Sequence, residues 1–186
     1  MKLKLFLTIL CSSLSAFGQK SSEEKTADKN SVCNYKNTYS TQDRNSFYPF
    51  NQASKILLIS FDDPNVVVNS LPVNNKILDS SKVKEIKSLT VNEINNLSDI
   101  LYNNSFINNK FPKIANEASC YNPRNAILFI NEKAEVYDYI EICFTCNRIE
   151  FSSKKIKVWD NCTQKNNLIK EFFKSMGFKI GLSNFW

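Results

Sequence analysis

Apolar positions along this chain switch between two spacings, and each switch predicts an element. Lys55 to Phe61 is a short apolar run stopped by Asp62-Asp63-Pro64-Asn65, which reads as a buried strand and a turn. Val66-Val67-Val68 is expected to return beside it, and a second strand is expected near 82–89. Thr90 and Glu93 then form a capping box, and Val91, Ile94, Leu97 and Leu101 follow at helical spacing, predicting a helix over 91–103 that ends in the Asn-rich segment 103–109. Asn125 to Ile130 is strand-like, 131–134 a polar turn, and Val136 to Phe144 alternates with Val136, Ile140, Ile142 and Phe144 on one face, which predicts a β-hairpin. Asp138 interrupts that face near the turn, where water is expected to reach it. Further strands are expected over 148–152 and 155–159. A last helix over 167–176 carries Leu168, Ile169, Phe172, Phe173 and Met176, with Gly177 as its C′ residue. The sum is an α+β fold, an antiparallel sheet of about 4–6 strands with two amphipathic helices packed on one face.

The first fifty residues follow neither period. From Val32 to Asn51 aromatic residues occur without a clear repeat, which suggests irregular chain packed onto a single domain over 32–186. Residues 19–31 are polar, with Ala27 the one apolar side chain, and are expected to be a flexible leader. Before them, Lys2 and Lys4, an apolar run from Leu5 to Cys11, and Ala16-Phe17-Gly18 have the three parts of a cleavable signal peptide over 1–18, leaving Gln19 as the mature N-terminus. The apolar run falls well short of the roughly 20 residues that span a bilayer. Lipid attachment at Cys11 is disfavoured by the bulky Leu10 before it. Export to the periplasm or the medium is the expectation.

Charge and composition narrow the chemistry. Of 24 Lys and Arg, removal of Lys2 and Lys4 leaves 22 against 18 acidic side chains, and the lysines are scattered among acids. The run Lys154-Lys155-Ile156-Lys157 reads as a solvated face, so nucleic acid is not an expected partner. Histidine is absent, which removes Ser-His-Asp and Cys-His catalysis and His-ligated zinc. After cleavage two glycines remain, Gly177 and Gly181, so phosphate-cradling glycine loops are excluded and no cofactor is expected.

Cys11 leaves with the signal, so Cys33, Cys120, Cys143, Cys146 and Cys162 remain, and in an oxidising compartment one thiol is left over. If Ile130 faces Glu135 in the hairpin, Cys120 lies opposite the region of Cys143 to Cys146, and a one-residue change sets it across from Cys146. A bridge from Cys120 to Cys146 or Cys143 is the leading expectation, with Cys162 taking the other member and Cys33 left unpaired. A loop of about 25 residues closed this way stabilises the fold by roughly 3–4 kcal/mol in the entropy model. Three other arrangements compete: a redox C-x-x-C at Cys143-Phe144-Thr145-Cys146, a zinc held by Cys120, Cys143, Cys146 and Cys162, and a vicinal Cys143–Cys146 bridge. The redox motif ends a strand, where no helix dipole lowers a thiol pKa, and zinc would want a second C-x-x-C knuckle. No metal is therefore expected.

Asp62 and Asp63 could ligate a hard cation or serve as acid and base, but before Pro64-Asn65 they read as turn residues. Arg124 could hold an anion or a partner carboxylate, or cover Tyr121. Phe185 and Trp186 read as core fillers or a modest contact patch. The Ala-Phe-Gly-Gln junction, Cys-Tyr-x-Pro-Arg-x-Ala-Ile-x-Phe at 120–129, Ile-Glu-Ile-Cys-Phe-x-Cys at 140–146 and Phe-Phe-x-x-x-Gly at 172–177 resemble a group of exported proteins of Bacteroidota-type bacteria. The resemblance implies export and the cysteine spacing, and carries no activity with it. The expected function is a non-catalytic binding module, inhibitor-like or immunity-like, whose partner is another protein. The alternative is a thiol-disulfide oxidoreductase using Cys143 and Cys146.

Overall fold

The computed structural model describes residues 20–63, 65–111 and 120–182. In chain order the elements are α1 (Ser22–Ser31), β1 (Cys33–Tyr35), α2 (Thr41–Ser46), β2 (Lys55–Phe61), β3 (Val73–Asn74), β4 (Ile77–Leu78), β5 (Val83–Ser88), α3 (Val91–Asn103), β6 (Asn104–Phe106), β7 (Asn125–Ile130), β8 (Val136–Cys143), β9 (Arg148–Phe151) and α4 (Lys165–Ser175). Five strands form one antiparallel sheet in the order β5-β2-β7-β8-β9. β1 pairs with β6, and β3 with β4, as two small ribbons. Every residue of the central β7 is buried, from Asn125 through the apolar run Ala126 to Ile130, as expected of a strand covered on both faces. Among the described residues no helix is long and apolar enough to cross a membrane.

One face of the sheet carries the larger core. Ile56, Leu58, Ile127, Phe129, Ile140 and Ile142 meet Leu97 and Leu101 from α3 and Ile169, Phe172 and Phe173 from α4. Both helices thus lie on one face, each fully buried Leu, Ile or Phe contributing about 1.5–3 kcal/mol of transfer free energy. On the other face Ile59, Phe61, Ala126, Leu128, Ile130 and Val136 are covered by Leu71, Val73 and Leu78 from the segment between β2 and β5. α3 opens on the capping box read from Thr90 and Glu93. Its last turn is closed from outside, because the buried Lys165 ammonium donates to the carbonyls of Ile100, Leu101 and Asn104 at 3.0, 2.6 and 2.5 Å.

Several expectations are corrected. The polar leader is helical from Ser22, because Ser21 and Glu24 form a reciprocal capping box and Ser31, buried, takes Thr163 N–H on its carbonyl at 2.9 Å. Val66, Val67 and Val68 form no strand and stay exposed on a bend. Residues 155–159 form no strand either, since the Lys155 N–H bonds to the Ser153 hydroxyl and the Ile156 N–H to the Ser153 carbonyl, turning the chain. Ile156 and Trp159 are buried from that loop.

The hairpin register also differs. Asn131 accepts the N–H groups of Lys133 and Glu135 on its side chain, and Ala134 adopts φ 62°, so the turn takes in Glu135 and Ile130 faces Val136. Phe129 then faces Asp138, which leaves Tyr137 as the extra residue of a bulge. The bulge turns Val136 to the face opposite Ile140, against the alternation read from sequence. Asp138 keeps the face of Ile140 and Ile142 that the alternation assigns it, but it is 2 % exposed rather than wetted. There it accepts hydrogen bonds from the Tyr48 hydroxyl at 2.6 Å and from the Ser152 hydroxyl. Burial, then this bond, pushes the Tyr48 hydroxyl up to about 12. The signal segment, Gln19, Pro64 and the terminal Phe185 and Trp186 lie outside the described residues.

Candidate functional site

The sheet's β8–β9 end gathers most of the residues singled out from sequence. Asn147, at φ 50°, lets a tight turn over 144–147 join the two strands, and the register sets Cys143 opposite Arg148 and Glu141 opposite Glu150. Two carboxylates directly across a ladder repel. The Arg148 guanidinium offsets this by pairing with Glu150 at 2.5 Å and by lying 4.8 Å above the Tyr121 ring. The Tyr121 hydroxyl donates to Glu141 at 3.4 Å. Burial, with Glu150 adding to it, holds the Glu141 carboxyl above the usual range, while hydrogen bonds from Tyr121 and the Leu71 backbone oppose the shift. Tyr121 is likewise raised, first by burial and then by the Glu141 and Glu150 charges.

Cys120 and Cys146 are at disulfide distance with Cα atoms 5.9 Å apart, fixing the chain before β7 onto the β8–β9 turn. Among the described residues Cys143, 1 % exposed, is the remaining thiol. Its sulfur accepts the Cys146 N–H at 3.3 Å and touches the Thr145 hydroxyl at 3.4 Å, and that hydroxyl is 3.9 Å from the Cys146 sulfur. The C-x-x-C cysteines are therefore neighbours that are not bonded to each other. Cys162 lies elsewhere, paired with Cys33 at a Cα separation of 4.9 Å. This corrects the expectation that Cys33 is the odd one. Ordering of α1 and β1, with the Cys33 N–H on the Gln164 side chain at 2.8 Å, carries Cys33 to the start of α4.

Arg124 pairs through Nε with Asp62 at 3.2 Å, and Arg148 takes the position over Tyr121 that Arg124 could have had. Asn69, buried, ties the same corner together: its side chain accepts the Asp63 N–H at 2.7 Å and donates to Asp62 and Asn122. Asp63 forms an Asx turn with Asn65, whose N–H and amide hold its carboxyl below the usual range. Both aspartates are thus turn and network residues. Among the described residues no cluster of three or more Cys, Asp or Glu side chains is placed to hold a metal.

Sequence reasoning passed over Tyr121, Glu141, Arg148 and Glu150 as a unit. Glu141 between Ile140 and Ile142 did mark a polar position on the second face of β8. Its pairing with Glu150 depends on the length of the turn. Comparison with family models, curated proteins and solved structures finds no significant match, and the site's own chemistry carries the functional reading.

Proposed function

We propose that this chain is an exported, non-catalytic module that binds another protein through the β8–β9 end of its sheet. The observation that carries the reading is the Tyr121–Arg148 stack, held by a staple on one side and an ion pair on the other, beside the edge strand β9. Tyr and Arg are the side chains that most often dominate protein interfaces, and fixing them before contact removes an ordering cost of about 0.5–1.5 kcal/mol for each immobilised side chain. Glu150 and Arg148, partly exposed, supply charges of both signs for register with a partner. A strand at the sheet edge adds backbone groups that an extended partner segment can pair with.

Two features favour this over the oxidoreductase. Cys143 and Cys146 are 1 % and 2 % exposed, out of reach of a solvent-borne protein disulfide, and Cys146 is already bonded to Cys120. A cleaved signal peptide over 1–18 delivers the module to a compartment where both staples persist. The test places a photo-crosslinking phenylalanine analogue at Glu150 and, as a control, at the exposed Lys25 of α1 in producing cells. One discrete adduct from position 150, lost in Tyr121→Ala/Arg148→Ala, is expected. Equal adducts from both positions, or an adduct that survives the double substitution, would contradict the reading.

A further inference from the structure

We infer that Cys120 is a latent capture thiol, released from its bridge by Cys143 and then open to a small disulfide-bearing molecule. This inference is independent of the partner-binding reading. In the first step the Cys143 thiolate, its proton lost to solvent, attacks the Cys146 sulfur. The Cys143–Cys146 bond forms, the Cys120–Cys146 bond breaks, and the electron pair leaves on Cys120 as a thiolate. No oxidant or reductant is consumed, because one disulfide replaces another. In the second step the Cys120 thiolate attacks a disulfide R–S–S–R, forming a mixed disulfide on Cys120 and expelling R–S⁻.

Three observations carry the first step. The Cys143 sulfur is held in the same turn as the bridge, fixed by the Cys146 N–H at 3.3 Å, and both sulfurs lie around the Thr145 hydroxyl at 3.4 and 3.9 Å. An i, i+3 pair across a tight turn has Cα atoms within about 7 Å, the outer limit for a disulfide, so the exchange asks for side-chain rotation more than backbone movement. The exposures are graded: Cys143 and Cys146 are buried, while Cys120 is exposed. The internal thiol can therefore reach the bridge when solvent species cannot reach that thiol, and the only sulfur delivered to solvent is that of Cys120.

What is released also fits. Cys143 ends β8 and Cys146 lies within the turn over 144–147, and the strands on either side stay paired, with Cys143 opposite Arg148. Cys120 lies on non-ladder chain five positions before the start of β7, held by Tyr121 to Glu141 and by Asn122 to Asn69. Exchange loosens that segment and leaves the sheet intact.

The test incubates the native mature protein with oxidised glutathione and no reductant, quenches in acid, and maps the peptides. One glutathione per chain on Cys120, together with a new Cys143–Cys146 bond, is expected. In Cys143→Ala the Cys120 adduct should fall at least roughly tenfold, with circular dichroism confirming the fold. Glutathione on Cys143, no adduct on the native protein, or an undiminished Cys120 adduct in Cys143→Ala would each overturn the inference. The wild-type adduct site decides the matter even if the variant does not fold.

Discussion

Replacing Gly181 by alanine tests how the chain after α4 is fastened to the sheet. Gly181 has φ +74°, in the left-handed region, and a Cβ there would stand 2.3 Å from the Asn125 side-chain oxygen and 2.8 Å from the Arg124 Cβ. Neither neighbour yields easily. Asn125 is fully buried at the start of β7 and donates to the Ile180 carbonyl at 3.0 Å, while Arg124 is paired with Asp62. The left-handed conformation costs a non-glycine residue about 1–2 kcal/mol, and overpacking adds about 1–3 kcal/mol. Displacing the Asn125 amide loses a hydrogen bond with a net contribution of about 0.5–1.5 kcal/mol. A loss of about 3–5 kcal/mol follows for Gly181→Ala. Gly177 provides the control, because it too has positive φ, at +93°, but a Cβ there meets nothing within 4 Å. Gly177→Ala should therefore show the backbone term alone, about 1–2 kcal/mol. Urea unfolding followed by fluorescence, with Trp159 buried at 7 % exposure, gives both values. Equal losses for the two variants would refute the claim that residues 180–182 are clamped onto Asn125 and Arg124.

Other predictions follow from the same geometry. Replacing Cys33 and Cys162 by alanine, which opens a span of 129 residues, should cost roughly 5 kcal/mol, and opening the 26-residue Cys120–Cys146 span roughly 3.5 kcal/mol, read from urea midpoints. Burial pushes the Lys165 ammonium down to about 7 against the ordinary 10.5, with Asp160 opposing the shift. The unfolded chain then binds more protons between those values, so stability should rise with pH from about 7 to 10.5, by at most about 1.4 kcal/mol per pH unit. In Lys165→Met that slope should vanish, and an unchanged slope would exclude Lys165 as its source. Asp138→Ala should cost about 1.5–3 kcal/mol by taking the charged acceptor from the Tyr48 hydroxyl, since the Ser152 hydroxyl keeps the Tyr139 carbonyl at 2.8 Å, and Tyr48→Phe less, because it removes a donor and leaves Asp138 its Ser152 bond.

The strands β2, β5, β7, β8 and β9 and the helices α3 and α4 were all legible, because each has a run or stripe that only one period explains. The failures share a cause. The three-residue ladder of β1 with β6 carries no period of its own, and the leader's Ser21–Glu24 capping box precedes a polar helix that needs Ser31 and Cys33 docked on the α4 end to persist. The bulge at Tyr137 arises from the turn before it, so alternation alone put Val136 on the wrong face, whereas Asp138 keeps its expected face and is closed off from water by Tyr48 and Ser152. At the site, the proximity of Cys120 to Cys146 followed from the hairpin. The Glu141–Glu150 opposition and the Tyr121–Arg148 stack required the length of the β8–β9 turn, which depends on a left-handed Asn147. Nothing in the sequence sets Lys165 apart from a surface lysine, because its burial depends on the carbonyls of Ile100 and Leu101 in α3 and of Asn104 in β6 converging on it.

The central claim is that export leaves a module stapled twice, with its one free thiol inside the C-x-x-C turn beside the contact surface. Non-reducing peptide mapping of protein recovered from the periplasm or medium, quenched in acid without added disulfide, tests it most directly. The account predicts a chain beginning at Gln19, with Cys33 bonded to Cys162, Cys120 to Cys146, and Cys143 as the thiol. A chain that still begins at Met1, or a free Cys33 with Cys162 bonded into the β8–β9 turn, would contradict it.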